Sequence, residues 1–257
     1  MSIYQHFRPE EKEFIDQSLQ WIGRVKETYS QKLTDFLDPR EQQILVALLG
    51  HDQEVKLELF GGHPQAERKR ALLYPDYITP EQEDFSISLI EIKYPVKFVT
   101  IEHRQVLGTL MSLGIKREKF GDILVSGQRV QFLAAGEIES YLFANLEKIG
   151  KATVSMKKVA LEEAIVAEEV WDESTFTVSS MRLDTVISSI LNLSRQKAQT
   201  LITSGKVKLN HKQTEHISEE CREGDTISVR GFGRCSILSI EGKTKKEKWR
   251  ITAGRRK

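Results

Sequence analysis

A chain of 257 residues, 39 % hydrophobic and 29 % charged, has room for two or three small domains with real cores. Its first 13 residues carry charges and Pro9 but no apolar run, which excludes a signal peptide there, and no stretch reaches the roughly 18 apolar residues of a membrane helix. The net charge of +1 hides a segregation: residues 179–257 hold 17 basic against 8 acidic side chains, net +9, so the first 178 residues carry −8.

In the first segment, 1–78, Phe14, Leu19, Trp21, Ile22 and Val25 recur at helical spacing. Pro39 suits the first turn of a second helix through Ile44, Leu45, Leu48 and Leu49, closed by Gly50. Val55, Leu57 and Leu59 alternate as a strand, and Gly61-Gly62-His63-Pro64 forms a turn. An N-terminal α/β domain of mixed α+β content is expected.

The second segment, 84–158, has a more regular order. Phe85, Ile87 and Leu89 alternate as a strand, Pro95 interrupts, and an extended stretch over 98–101 follows. A helix is predicted over 103–113, stopped by Gly114. Strands at 123–125 and 130–133 flank a hairpin signal at Ser126-Gly127. A helix over 137–149 and a closing strand over 153–156 complete the order βαββαβ. That is the ferredoxin-like, RRM-like order. RNA-recognition domains of this order stack bases on aromatics of two central strands, and here the hairpin strands offer only Phe132. Residues 159–178 read as an acidic, partly helical connector. Their portion 161–178 has a net charge of −6 and no basic residue, with Leu161, Ile165 and Val166 on one side.

The third segment, 179–257, reads as a compact basic module. A short amphipathic helix over 182–191 buries Leu183, Val186, Ile187, Ile190 and Leu191. Ser194 sits at the N-cap of a second helix over 195–203, and Gly205 ends it. Val207 and Leu209 then face inward while Lys206, Lys208 and Asn210 face out, and after Gly224-Asp225 another strand turns Ile227 and Val229 inward. Arg195 and Lys197 occupy the first turn of the second helix. Cations there oppose the helix dipole, which makes physical sense where an anion binds to the free N–H groups. Lys206, Lys208 and Lys212 extend the charge along the adjoining strand, so one RNA-binding face is expected. Charge alone is equally compatible with a solvated tail.

Arg182-Leu183-Asp184, Ser194-Arg195, Ala198, Ile202, Gly205, Val207, Asn210, Gly224-Asp225, Ile227 and Val229 together resemble the S-four (S4) RNA-binding domain, also called alpha-L. The resemblance implicates Arg182, Ser194, Arg195, Lys197, Lys206, Lys208, Asn210 and Lys212 in RNA binding. Arg182 and Asp184 have a structural alternative as a pair within the fold, and Asn210 as a turn residue. Two further runs are similar to the bacterial YlmH family: the stretch from His103-Arg104 through Gly121-Asp122-Ile123, and Gly61-Gly62-His63-Pro64 with Glu67-Arg68-Lys69-Arg70. That resemblance covers essentially the whole chain. It implies a ribosome-associated protein on the large subunit, in rescue or quality control of stalled translation; a cytoplasmic location is expected from the missing signal peptide and membrane helix. The implied partners are structured RNA, meaning ribosomal RNA, with tRNA as a second candidate. Members of the family have also been labelled division proteins because of neighbouring genes. Lys116, Arg117 and Lys119 form a second candidate RNA patch, with a solvated loop as the alternative.

No catalytic residues, cofactor, metal site, membrane contact or small-molecule substrate is expected. Gly231-Phe232-Gly233 is too short for a cofactor loop, and His211, His216 and Cys221 do not match zinc spacing. The two cysteines, Cys221 and Cys235, are expected as free, partly buried thiols in a reducing compartment. Two other classes stay open: a cell-division-associated scaffold in which RNA binding is secondary, and an RNA-modifying enzyme with an unrecognised site.

Overall fold

The apolar stripe between Phe14 and Val25 forms the inner side of helix α1 (Lys12–Thr28), with Ile15, Ile22 and Val25 buried. Strand β1 (Lys32–Leu37) follows, and then helix α2 (Pro39–Leu49). Pro39 stands in the first turn, and the Asp38 carboxylate accepts the amides of Arg40 at 2.8 Å and Glu41 at 2.9 Å, while the Glu41 carboxylate accepts the Asp38 amide in return. Strands β2 (Val55–Phe60) and β3 (Lys69–Pro75) complete an antiparallel sheet of order β1-β3-β2. Helices α1 and α2 pack on it through Ile22, Val25, Leu45, Ala71 and Leu73.

This is a computed structural model that describes residues 7–50, 52–165, 171–244 and 246–256. It divides into two units, Met1–Ala167 and Glu168–Lys257. No helix among the described residues is long and apolar enough to cross a membrane.

The first unit continues with β4 (Ile87–Lys93), α3 (His103–Ser112), β5 (Phe120–Ser126), β6 (Arg129–Ala135) and α4 (Glu139–Asn145). A small hairpin of β7 (Lys148–Ile149) and β8 (Ala152–Thr153) leads into β9 (Ser155–Val159). The sheet order is β5-β6-β4-β9, all antiparallel, which is the βαββαβ arrangement expected from the sequence. Two details differ. The second helix ends at Asn145 rather than 149, because Leu146 leaves the helical region at ψ 88° and the chain enters β7. Residues 98–101 form no strand: the amides of Phe98 and Val99 both donate to the Pro95 carbonyl, closing a turn over 95–99.

Helices α3 and α4 cover one face of this sheet, where Ile90, Ile92, Val130, Phe132 and Ala134 are buried. The opposite face is buried too. Leu89, Leu133 and Ala135 pack against Phe36 of β1 and against Ile165. Gln131, fully buried, donates to the Glu163 carbonyl and accepts from the Ile165 amide at 2.8 Å. Two glycines permit this close approach. A side chain at Gly62 would lie 2.2 Å from Leu133, and one at Gly121 would lie 2.8 Å from Phe36. The two segments read separately from the sequence therefore share one core cluster within the first unit. Buried Arg70 reinforces it, donating to the carbonyls of Thr34 and Ser86 and pairing with Glu137 at 3.1 Å.

The acidic stretch is not a connector throughout. Leu161–Glu163 is a single 3-10 turn rather than a longer helix, and Val166 lies outside the described residues. Trp171–Val178 is strand β10 of the second unit. Its Thr175-Phe176-Thr177-Val178 run has the β-branched and aromatic character of a strand, which outweighs the carboxylates before it. Asp172 stands opposite Arg255 of the last strand, Trp249–Arg256, in the antiparallel register.

The second unit continues with α5 (Leu183–Ile190), α6 (Arg195–Thr203), β11 (Val207–Leu209), β12 (Lys212–Gln213), β13 (Thr226–Val229), β14 (Gly233–Lys243) and β15 (Trp249–Arg256). The sheet order is β10-β15-β14-β13-β11-β12. Val186, Ile187 and Ile190 of α5 and Ala198 and Ile202 of α6 bury against Val207, Ile227, Val229, Ile237 and Ile251. Cys221 and Cys235 are free and fully buried, and burial pushes the Cys221 thiol up to about 12.

Candidate nucleic-acid interface

Helix α6 opens on Ser194, whose hydroxyl accepts the Lys197 amide at 3.2 Å. The first turn thus carries Arg195 and Lys197 outward, both exposed. Asp184 in the first turn of α5 organises the neighbourhood. It is fully buried and accepts from Arg195 Nε at 2.9 Å, Gln199 Nε2 at 2.8 Å and Arg182 Nε at 3.2 Å. Burial by itself would raise the Asp184 carboxyl, but the bonds from Gln199, Arg182 and Arg195 outweigh it and hold the group well below the usual carboxylate range. A permanent buried anion therefore ties the starts of both helices together. It also sets two guanidinium groups side by side at the surface, with the Arg182 and Arg195 side chains 39 % and 54 % exposed. Binding Arg195 through Nε fixes its planar fork, which lowers the entropy lost on meeting a phosphate.

Lys197 Nζ lies 5.8 Å from the centre of the Phe232 ring, a cation–π contact. Phe232 is 42 % exposed, in a turn between Gly231 and Gly233, both of positive φ. On sequence this Gly-Phe-Gly run had weight only as a cofactor loop. An aromatic flanked by two glycines after Arg230 was the available signal. The Arg230 amide donates to the Lys206 carbonyl at 2.9 Å, so Arg230, also exposed, sits next to Lys206.

The basic residues do not all share one face. Val207 and Leu209 point into the core beneath α6, so Lys206 and Lys208 point away from the helices. Lys208 stands beside Ser228 and Arg234 in a row across β11, β13 and β14. Lys212 is exposed on the edge strand β12, in register with Leu209. The surface is therefore a wrap: Arg182, Arg195 and Lys197 on the helix side, Lys206, Lys208 and Arg234 on the sheet side, with the turn of Arg230 and Phe232 between them.

Asn210 holds the fold. It and His211 both have positive φ, at 49° and 67°, as a two-residue hairpin between β11 and β12 needs. Its side chain donates to Asp225 at 2.8 Å and accepts the Thr226 amide at 2.9 Å. The Asn210 and Gly224-Asp225 portions of the sequence pattern thus meet in one tie.

The loop after α3 is not a basic patch. Arg117 donates to the carbonyls of Phe120 and Gly121, and burial brings its guanidinium down to about 10. Lys119 pairs with Asp35 at 2.6 Å and Glu137 at 2.9 Å. Of the three residues, Lys116 alone stands exposed. The Phe132 ring is fully buried on the helix side of its sheet, where no base can reach it.

Two short helices tied at one buried aspartate, the second carrying cations on a capped first turn, define a nucleic-acid-binding domain of the S4 class, and the S4 domain model matches residues 181–227. The models described as "YlmH, N-terminal" and "Putative RNA-binding domain in YlmH" match residues 10–78 and 80–163. A Bacillus subtilis (strain 168) protein named "Ribosome-associated protein quality control protein P2" is 50 % identical over 258 residues, covering 99 % of each chain. A solved structure, "Cell division protein ylmH from Streptococcus pneumoniae", is 38 % identical with a TM-score of 0.55, and covers 64 % of this chain and 99 % of that one. The chain belongs to the YlmH family.

Proposed function

We propose that this protein is a cytoplasmic, non-enzymatic RNA-binding adaptor. It anchors on large-subunit ribosomal RNA through its S4 domain, with tRNA as a second contact, in the quality control of stalled translation. The observation that carries the reading is the Asp184 clasp, which presents Arg182 and Arg195 beside Lys197 at the start of α6. The name of the Bacillus subtilis relative supports the ribosomal setting. The RNA contacts proposed are Arg182, Arg195, Lys197, Lys206, Lys208 and Lys212, with Ser194 and Asn210 shaping the backbone that carries them. Arg195→Ala with Lys197→Ala should lower affinity for large subunits roughly ten-fold or more at ~0.15 M salt. Sucrose-gradient sedimentation of cell lysates checks this, and unchanged co-sedimentation would overturn the reading.

The name of the Streptococcus pneumoniae structure favours a second reading, a division-linked scaffold. Rescue of a division phenotype by a chain lacking 168–257 would support it. The cut belongs at 168 because removing 179–257 would strip β10 of its partner strand β15.

A further inference from the structure

Beyond the S4 match, which ends at residue 227, the chain adds the long ribbon of β14 and β15. Among the described residues at its tip, the four cations Lys243, Lys246, Lys248 and Arg250 stand against the two carboxylates Glu241 and Glu247. There Thr177, Thr244, Lys246, Lys248 and Arg250 line an open groove of about 660 Å³. The two carboxylates are engaged locally: Glu241 accepts from the Thr252 hydroxyl at 2.9 Å, and Glu247 pairs with Lys243 at 3.0 Å. Lys243 also lies 5.5 Å from the Trp249 ring centre, its charge shared with ring and carboxylate. Among the described residues no carboxylate pairs with Lys246, Lys248 or Arg250, and all three are exposed or partly so. Like charges gathered in a concave site repel one another unless an anion enters.

We propose that this groove is a second phosphate-binding site, which grips the backbone of the same RNA that the α6 surface holds; the inference rests on the RNA-binding reading above. Ammonium, guanidinium and threonine hydroxyl groups are the side chains that position a nucleic-acid backbone without reading its bases. An acidic protein segment is the less favoured occupant. Trp249 is half-buried against the domain core and does not line the groove, whose lining holds no aromatic or branched aliphatic anchor for a peptide. Nine residues of ribbon separate Arg234 from Lys243, roughly 30 Å at strand rise. The two sites therefore grip the RNA at separated points, and their contributions to salt dependence add.

The test uses the full chain with purified large-subunit ribosomal RNA and, separately, intact large subunits, at salt from about 50 to 200 mM. Replacing Lys246, Lys248 and Arg250 together by Gln should flatten the plot of log affinity against log salt by about 2 to 3, at about 0.9 for each phosphate no longer neutralised. A charge-keeping variant, Lys246→Arg, Lys248→Arg and Arg250→Lys, should restore the slope, which separates a missing charge from a failure to fold. An unchanged slope in the Gln variant, while Arg195→Ala with Lys197→Ala weakens binding as expected, overturns the groove and leaves the function standing. Wild-type binding by both variants overturns the function itself. A Gln variant that binds naked RNA normally but intact subunits weakly assigns the groove to a protein partner and overturns the inference.

Discussion

The central and C-terminal sheets are both antiparallel, and each packs helices on one face, yet their second faces have opposite fates. In the central sheet, Leu89, Gln131 and Leu133 lie fully buried under Phe36 and residues 161–165. In the C-terminal sheet, the second face carries Lys208, Ser228 and Arg234 across three strands, and Thr175 beside Thr252 across two others. The order of strands and helices does not decide where nucleic acid binds. What decides it is which face the rest of the chain has covered and which charges the fold has left at the surface.

The sharpest way to break this comparison is through Phe132, the one aromatic on the central strands positioned by sequence to stack a base. Phe132→Ala removes a fully buried ring packed edge-on to Phe120 and should cost about 3–5 kcal/mol of stability. RNA affinity, measured where the variant is still folded, should not change. A stacking residue would behave the other way, weakening binding by about 1–3 kcal/mol with stability intact. Denaturant unfolding together with RNA titration distinguishes the two.

Much of this architecture was legible because its signals are local. The Pro39 helix start, the Ser194 cap and the Gly127 hairpin each name an element from a few residues. Strand β3 is hidden in the sequence because two basic residues, Lys69 and Arg70, open it, and only Thr34, Ser86 and Glu137, distant in sequence, explain how Arg70 can be buried. The same limit applied at the site. Alternation showed that Lys206 and Lys208 point out, but which side the helices occupy is a tertiary fact, and so is the meeting of Phe232 with Lys197.

A smaller effect probes how the central face stays closed. Glu91 is buried on that face, where bonds from Lys93, Arg129 and Gln131 hold its carboxyl down at about 2. Its folded value is below the unfolded value of about 4.3, so its stabilisation is fully present above that pH and is lost as pH falls through about 2. The contribution is about 1–2 kcal/mol, since Lys93 and Arg129 are more than half exposed and solvent screens their charge. Glu91→Gln should therefore lower stability at neutral pH and flatten its decline between pH ~4.3 and ~2. Urea midpoints across that range would show it, and an unchanged acid profile would mean that the clasp does not secure this face.

The smallest expected effect tests the C-terminal side of the comparison, where polar residues divide into those that hold the fold and those that face outward. Asn210 is exposed, yet both polar ends of its side chain are used by Asp225 and Thr226, and its backbone is left-handed. Asn210→Ala should cost about 1 kcal/mol of stability, because alanine tolerates that conformation poorly and leaves the Thr226 amide without its partner. RNA affinity should stay within about two-fold of wild type, well under the 1.4 kcal/mol that a ten-fold change requires. Lys208→Ala, two residues away and facing out, should show the reverse: unchanged melting and a shallower salt slope, by about 0.9. If Asn210→Ala instead weakened RNA binding with its melting temperature intact, the hairpin itself would touch the RNA. The sorting of polar groups on this domain would then have to be redrawn around the β11–β12 turn rather than around the clasp at Asp184.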